Sequence, residues 1–276
     1  MDCMAFGMGN CCSQITIQCK DLEDASYLYD QYAILSPLLL YLSSSCPFIK
    51  GHLTQTQNRW KIIEQAVDDR KDKENTSKSR YSSISRFIHN KGQKYNNLKE
   101  EYDRKYYNIL KKNNIPDNIA KHIAYLFIRD PIIMYEKDIK TVEKNYNFFL
   151  NINSSNWNNV RLKPPLNKED SWKVEMRVLD MQTNNFENSA FIVFTLLLAR
   201  VIIYYKLNFY IPISFVEENF EKIHNIDCNN KIFTNKFWRK NKNNFKPEME
   251  DVGKIIKKIY ILIREYLLDT NQNIDV

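Results

Sequence analysis

Trp172-Lys173-Val174-Glu175-Met176-Arg177-Val178 alternates residue by residue, with Trp172, Val174, Met176 and Val178 apolar and Lys173, Glu175 and Arg177 charged. Side chains of a strand point to opposite faces in turn, so the stretch predicts a strand with one core face and one face carrying opposite charges side by side. A second alternation stands near the start. Cys12, Gln14, Thr16 and Gln18 share one parity, and Ile15, Ile17 and Cys19 share the other. Two such strands in one antiparallel or mixed sheet put their polar faces on the same side and their apolar faces against helices. The class is therefore α+β.

Helices are read outward from these strands. Asp21, with Asp24 three residues on, predicts an N-cap for a helix through the Leu28–Leu42 region, which Pro37 should kink or divide. Asn184 followed by Glu187 has capping-box spacing and opens an apolar helix running to Tyr205. That stretch carries Arg200, and its uncharged run falls short of the ~20 residues that span a bilayer, so it reads as a buried helix. Val252, Ile255, Ile256, Ile259, Ile263 and Leu267 predict a last amphipathic helix over 252–268. Further helices are expected near 82–88, 95–112 and 118–128, a strand over 59–67 and a charged loop over 71–78. The Asn- and Lys-rich stretches 91–114, 144–159 and 225–244 read as surface loops and frayed helices. Gly7 and Gly9, two of only five glycines, mark a close backbone approach.

The 276 residues are 43% hydrophobic and 26% charged, enough to bury the core of one large domain or two small ones. The net charge of +7 admits an anionic partner. Basic residues are interspersed with acidic ones, however, and no nucleic-acid-binding signature occurs, which argues against nucleic acid. Six cysteines without a signal peptide point to free thiols in a reducing, cytoplasmic setting, with no membrane partner. Cys3, Cys11, Cys12 and Cys19 lack the Cys-x-x-Cys pairing of a zinc site.

The polar faces carry usable chemistry. Glu175 and the amide oxygen of Gln14 are hard oxygen donors suited to Mg²⁺. Arg59 and Arg177 supply planar forks for a carboxylate or phosphate. Tyr81 offers stacking or a hydrogen bond. Taken singly, each is more often a surface residue than a ligand.

Phe6-Gly7-Met8-Gly9-Asn10-Cys11-Cys12-Ser13-Gln14 resembles the glycine, cysteine and glutamine signature of eukaryotic glutamate-cysteine ligases. In the family's order follow Tyr27-Leu28-Tyr29-Asp30-Gln31, Cys46-Pro47-Phe48, Arg59-Trp60, Val67-Asp68-Asp69-Arg70, Ser77-Lys78-Ser79-Arg80-Tyr81, Leu126 to Pro131, Asn156-Trp157, Lys163-Pro164-Pro165, Val174-Glu175-Met176-Arg177 and Phe186-Glu187-Asn188-Ser189-Ala190. The resemblance covers 1–212, with 213–276 expected as a helical carboxyl-terminal part of a single partial catalytic domain. It implies the helix-rich portion of a glutamine synthetase/carboxylate-amine ligase-like fold, with a curved, largely antiparallel sheet.

The resemblance also implies an activity, the ATP- and Mg²⁺-dependent joining of the L-glutamate γ-carboxylate to the L-cysteine amino group through γ-glutamyl phosphate, which opens glutathione synthesis. Residue by residue, it casts Gln14 and Glu175 as metal ligands and Arg59 and Arg177 as holding glutamate or its phosphorylated form. Cys12 and Tyr81 fall toward the substrate cysteine, and Lys163 and Arg129 toward nucleotide phosphates. The family's other metal-binding glutamates precede the point matched by Met1, so a missing amino-terminal catalytic portion and a modifier subunit are implied partners. The isolated chain is expected to be inactive and to expose a sheet edge. A non-catalytic relative that binds a complete ligase chain is the alternative. The family's Arg-Pro-Met-Glu reads Arg177-Val178-Leu179-Asp180 here, and Asn185 replaces the aspartate before Phe186.

Overall fold

The computed structural model describes residues 9, 11–70, 76–132, 146–224, 230–236, 238, 239 and 246–271. Gly7, Cys3, Cys228 and the 71–75 part of the expected loop lie outside these residues. In chain order the elements are β1 (Cys12–Gln18), α1 (Leu22–Ser43), the short hairpin β2 (Phe48–Ile49) and β3 (His52–Leu53), α2 (Trp60–Ala66), and a 3-10 turn over Asn90–Tyr95. Then come α3 (Arg104–Lys112), α4 (Asp117–Leu126), α5 (Tyr146–Ser154), β4 (Val160–Lys163), β5 (Lys173–Asp180) and α6 (Asn185–Tyr205). The chain continues with α7 (Ile213–His224), the hairpin β6 (Lys231–Asn235) and β7 (Pro247–Asp251), and α8 (Val252–Asp269).

The two alternating segments do form one sheet, antiparallel throughout, in the order β1-β5-β4. Its apolar face lies on α1, where Ile15, Val174, Met176 and Val178 join one continuous core. α1 is apolar on nearly every side and is buried almost along its full length, as a helix packed between sheet and helices must be. Asp21 caps it by accepting the Asp24 amide at 2.9 Å.

Pro37 does not divide α1. A proline at this position leaves the carbonyl four residues earlier, that of Ala33, without its helical donor. Asn159 supplies a replacement, its Nδ2 donating to the Ala33 oxygen at 3.4 Å. The same side chain accepts the Ile84 amide through Oδ1 at 2.8 Å. One buried asparagine thus repairs the helix and ties down the 82–89 segment.

That segment corrects the expected helix at 82–88, which is irregular. Its amides are taken by side chains of other elements: Ile84 by Asn159, Phe87 by Asn96, and Ile88 and His89 by the buried carboxylate of Asp30. The expected strand at 59–67 is instead α2, because Trp60, Ile63 and Val67 bury at helical spacing and outweigh the β-branched Ile62-Ile63 pair. The helix expected over 95–112 begins only at Arg104, capped by Asp103. The expected helix at 118–128 appears as α4, and those ending at Tyr205 and near Leu268 appear as α6 and α8. The carboxyl-terminal part holds the β6–β7 hairpin between its two helices.

α6 departs from the expectation of a buried helix. Asn184 caps it as its spacing predicts, accepting the Glu187 amide at 2.9 Å. Leu198, Ala199, Val201 and Ile202 are buried, but Phe186, Ile192, Val193 and Leu196 face outward, with Phe186 83% exposed. By length and composition alone α6 could cross a membrane, although 28% of its most apolar window is buried within the protein. It packs beside β1, and among the described residues no strand pairs with the outer edge of β1.

Candidate functional site

The polar face of the β1-β5-β4 sheet gathers most of the residues singled out from sequence. Thr16 of β1 and Arg161 of β4 lie directly opposite Glu175 in the two ladders, so all three share a face. Lys163 reaches across the sheet, its Nζ 3.1 Å from Glu175 Oε2 and 3.3 Å from Thr16 Oγ1. Arg161 Nη1 approaches the same carboxylate oxygen at 3.9 Å. Glu175 is only 6% exposed, and these cations offset its buried charge.

Between Ser13 and Ile15 the register shifts, so the β5 residues Arg177 and Val178 together oppose Gln14. This bulge re-aims Arg177 at the strand end. Its guanidinium lies over the Tyr81 ring, 6.0 Å from the centroid, and Nη1 donates to the Asn158 carbonyl at 3.4 Å. Gln14 is exposed, and its Nε2 donates to Cys12 Sγ at 3.3 Å.

Arg59 is the hub. It is 2% exposed, donating from Nη1 to the Tyr81 hydroxyl at 2.7 Å and from Nη2 to the Arg177 carbonyl at 2.8 Å. Its Nε lies 3.2 Å from Asp180 Oδ1, an ion pair whose angles leave both atoms without a hydrogen bond. Asp180 Oδ2 accepts the Arg59 and Ser45 amides, each at 3.3 Å. Burial pushes the Asp180 carboxyl up to about 6, against the opposing pull of Arg59 and those two amides. Tyr81 is likewise shifted upward by burial, with Arg59 and Arg177 pulling the other way. Its ring packs on Trp60 at a tilt of 46°, with centroids 4.3 Å apart.

Cys12, Gln14, Arg59, Tyr81, Lys163, Glu175 and Arg177 therefore belong to one region. Cys12 pairs with Asp180 in the ladder beside Arg59. Arg129 stands apart from the sheet face. It bonds to Asn156 Oδ1 at 3.3 Å and to the carbonyls of Lys78 and Ser79, so it holds the segment leading to Tyr81. Sequence reasoning missed Asp180 and Arg161 as site residues. Asp180 shares the parity of the core-facing Val174, Met176 and Val178, and a carboxylate there requires a buried cation. Arg161 carried no signal, because β4 was not expected.

The face brings four cationic side chains, Arg59, Arg161, Lys163 and Arg177, against the carboxylates of Glu175 and Asp180. The Nε atoms of Arg161 and Arg177 are buried without hydrogen-bond partners. Burial lowers the affinity of both guanidinium groups for their protons, Glu175 opposing it in each and Tyr81 as well at Arg177. Such an arrangement suits a carboxylate or phosphate, which would supply the absent acceptors.

It does not by itself suit a resident Mg²⁺. Among the described residues no three His, Cys, Asp or Glu side chains converge as a metal shell. The Lys163 ammonium already lies against Glu175. Gln14 and Glu175 offer at most part of a coordination sphere.

The protein family described as glutamate-cysteine ligase matches residues 1–272. The human glutamate-cysteine ligase catalytic subunit is 43% identical over 232 residues, which cover 79% of this chain and 36% of that protein. The glutamate-cysteine ligase of Dictyostelium discoideum is 43% identical over 241 residues, covering 81% and 38%. That of Schizosaccharomyces pombe is 40% identical over 245 residues, covering 86% and 36%. The chain thus spans little more than a third of the length of these relatives. With a match along nearly its whole length and an ordered arginine-carboxylate face to go with it, the chain belongs to the glutamate-cysteine ligase family.

Proposed function

We propose that this sheet face is one side of an ATP-dependent ligase site that joins the γ-carboxylate of L-glutamate to the amino group of L-cysteine. The observation that carries the reading is the connected set Arg59, Tyr81 and Arg177 beside Glu175, a buried face with more cations than carboxylates. A carboxylate is a poor electrophile. Transfer of the ATP γ-phosphoryl group to it releases ADP and creates a mixed anhydride, the amine attacks the carbonyl carbon and loses a proton as the amide forms, and inorganic phosphate leaves with the bonding pair. Guanidinium groups fixed in advance stabilise the charge on the transferring phosphoryl group and on the anhydride.

In this reading Arg59 and Arg177 hold glutamate and its phosphorylated form, while Cys12 and Tyr81 border the place of the incoming cysteine. Lys163 would take a nucleotide phosphate, and Arg129 would support that side by anchoring the Lys78–Tyr81 segment. Gln14 and Glu175 would supply part of a Mg²⁺ coordination sphere, and its remaining ligands would come from the part of the enzyme that this chain does not span. That same part would cover the outer edge of β1 and the apolar face of α6, within the carboxylate-amine ligase-like fold. The described cysteines Cys11, Cys12 and Cys19 are free thiols, in keeping with a reducing compartment such as the cytoplasm.

The test is γ-glutamylcysteine formation by the protein in the full form its source cell makes. Glu175→Gln and Arg177→Lys should each lower kcat/KM by roughly 100-fold or more, the scale of losing one preorganised charge contact. Unchanged kcat/KM in both variants would exclude the reading.

A further inference from the structure

Beside the Trp60–Tyr81 pair lies a cavity of about 430 Å³, lined by Trp60 but by none of Gln14, Arg59, Tyr81, Glu175 or Arg177. Trp60 and Glu64 are one helical turn apart on α2, and Phe220 and His224 one turn apart on α7, so each pair shares a helix face. Trp60 meets Phe220 with centroids 5.8 Å apart and closes the two faces against each other. Glu64 and His224 line the same cavity.

The cavity holds four carboxylates, and three are engaged. Glu217 pairs with Lys78, Glu221 with Lys61 at 2.8 Å, and Glu101 accepts the Ser77 amide at 3.1 Å. Glu64 alone has no hydrogen-bond or ion-pair partner among the described residues, and burial raises its affinity for a proton. His224 is 6% exposed. Asn58 Nδ2 donates to the Ile223 carbonyl at 3.5 Å, which leaves Asn58 Oδ1, 3.1 Å from His224 Nδ1, as an acceptor. The ring proton therefore sits on Nδ1, and Nε2 is a lone-pair acceptor without a partner among the described residues. Burial first, and Lys61 next, hold this imidazole down to about 4, so it is neutral at physiological pH.

We propose that this cavity binds a small primary ammonium group, with Glu64 and His224 Nε2 accepting its protons and the faces of Trp60 and Phe220 covering its apolar stem. An anion is disfavoured by the acidic lining. A divalent cation is disfavoured as well, since no metal-shell cluster occurs among the described residues. An ammonium fits both features, because it donates to oxygen and nitrogen acceptors alike and is attracted to aromatic faces.

The probes are n-butylammonium and butyrate, titrated calorimetrically into the protein in the full form its source cell makes. n-Butylammonium should bind saturably and butyrate should not. Glu64→Gln should weaken n-butylammonium binding about 10-fold, the scale of one charge-assisted hydrogen bond. Lys99, exposed at the cavity rim, provides a variant remote from the core, and Lys99→Glu should tighten binding several-fold. Absence of saturable n-butylammonium binding, equal binding of butyrate, or an affinity unmoved by Lys99→Glu would each overturn the proposal.

Discussion

Arg59 and Asp180 form a buried ion pair, Nε to Oδ1 at 3.2 Å with both side chains 2% exposed, and this pair sets the position of the other two guanidinium nitrogens. Those nitrogens bind Tyr81 and the Arg177 carbonyl, so one side chain joins the end of β5 to the start of α2 and to the loop carrying Tyr81. Lysine cannot reproduce a three-way planar fork. Arg59→Lys is therefore expected to lower kcat/KM by roughly 100-fold and to destabilise the fold by about 3 kcal/mol, near the lower end for breaking a buried pair. Steady-state kinetics and urea unfolding of the same preparation check both numbers.

Asp180 has an opposite and pH-dependent effect on stability. It titrates at about 6 in the fold, against a usual 3.8, so the folded chain holds an extra proton between those values. Its contribution to stability is fully present below pH 3.8 and is lost as pH rises through about 6. The change amounts to about 3 kcal/mol. In Asp180→Asn that contribution cannot titrate. The stability difference between wild type and variant, measured by urea unfolding, should move by most of this amount, roughly 2.4 kcal/mol, in the variant's favour from pH 4 to pH 7. A difference that stays the same at both pH values would contradict the assignment. Activity at pH 7 should fall nonetheless, since Arg59 loses its anchor.

Asn159 links α1 to the site in two ways. Its side chain satisfies the Ala33 carbonyl left open by Pro37 and the Ile84 amide, and its backbone carbonyl accepts the Arg177 amide at 3.1 Å. Asn159→Ala would orphan two buried backbone groups. The expected loss is about 2–6 kcal/mol, at roughly 1–3 kcal/mol for each unsatisfied group. Hydrogen exchange at Ile84 should accelerate in the same variant.

Gly92 is required for close approach, with no unusual φ involved. A Cβ there would lie 2.5 Å from Asp30 Oδ2, 2.7 Å from Phe87 Cβ and 2.8 Å from Tyr210 Cε1. Asp30 cannot retreat without releasing the Ile88 and His89 amides and the Tyr210 hydroxyl. Gly92→Ala should cost about 1–3 kcal/mol by overpacking, read as a lowered urea midpoint with an unchanged slope.

Where the fold was legible in the sequence, the signal was local. Parity along 12–18 and 172–178 showed both strands and their polar faces, and Asp21 and Asn184 marked helix starts that their side chains do cap. Where structure depends on distant partners, the sequence was silent or misleading. The 82–88 segment was expected to be helical, yet its amides are claimed by Asp30, Asn96 and Asn159 from elsewhere in the chain. α6 is apolar enough to look buried, and half of it faces outward.

Site residues follow the same division. Arg59, Tyr81, Glu175 and Arg177 were chosen for their chemistry and their family motifs, and the fold brings them together. Arg129 was chosen the same way, and its guanidinium is used in anchoring a loop. The part of Asp180 in holding Arg59 emerges only when α2 is seen beside the end of β5.

The most direct test of the central claim is γ-glutamylcysteine formation by the isolated 276-residue polypeptide, set beside the protein in the full form its source cell makes. The full form should produce γ-glutamylcysteine from glutamate, cysteine and ATP, while the isolated polypeptide, in which no three His, Cys, Asp or Glu side chains converge as a metal shell among the described residues, should produce none. Robust ATP-dependent product from the 276 residues alone, or none from the full form, would contradict the account.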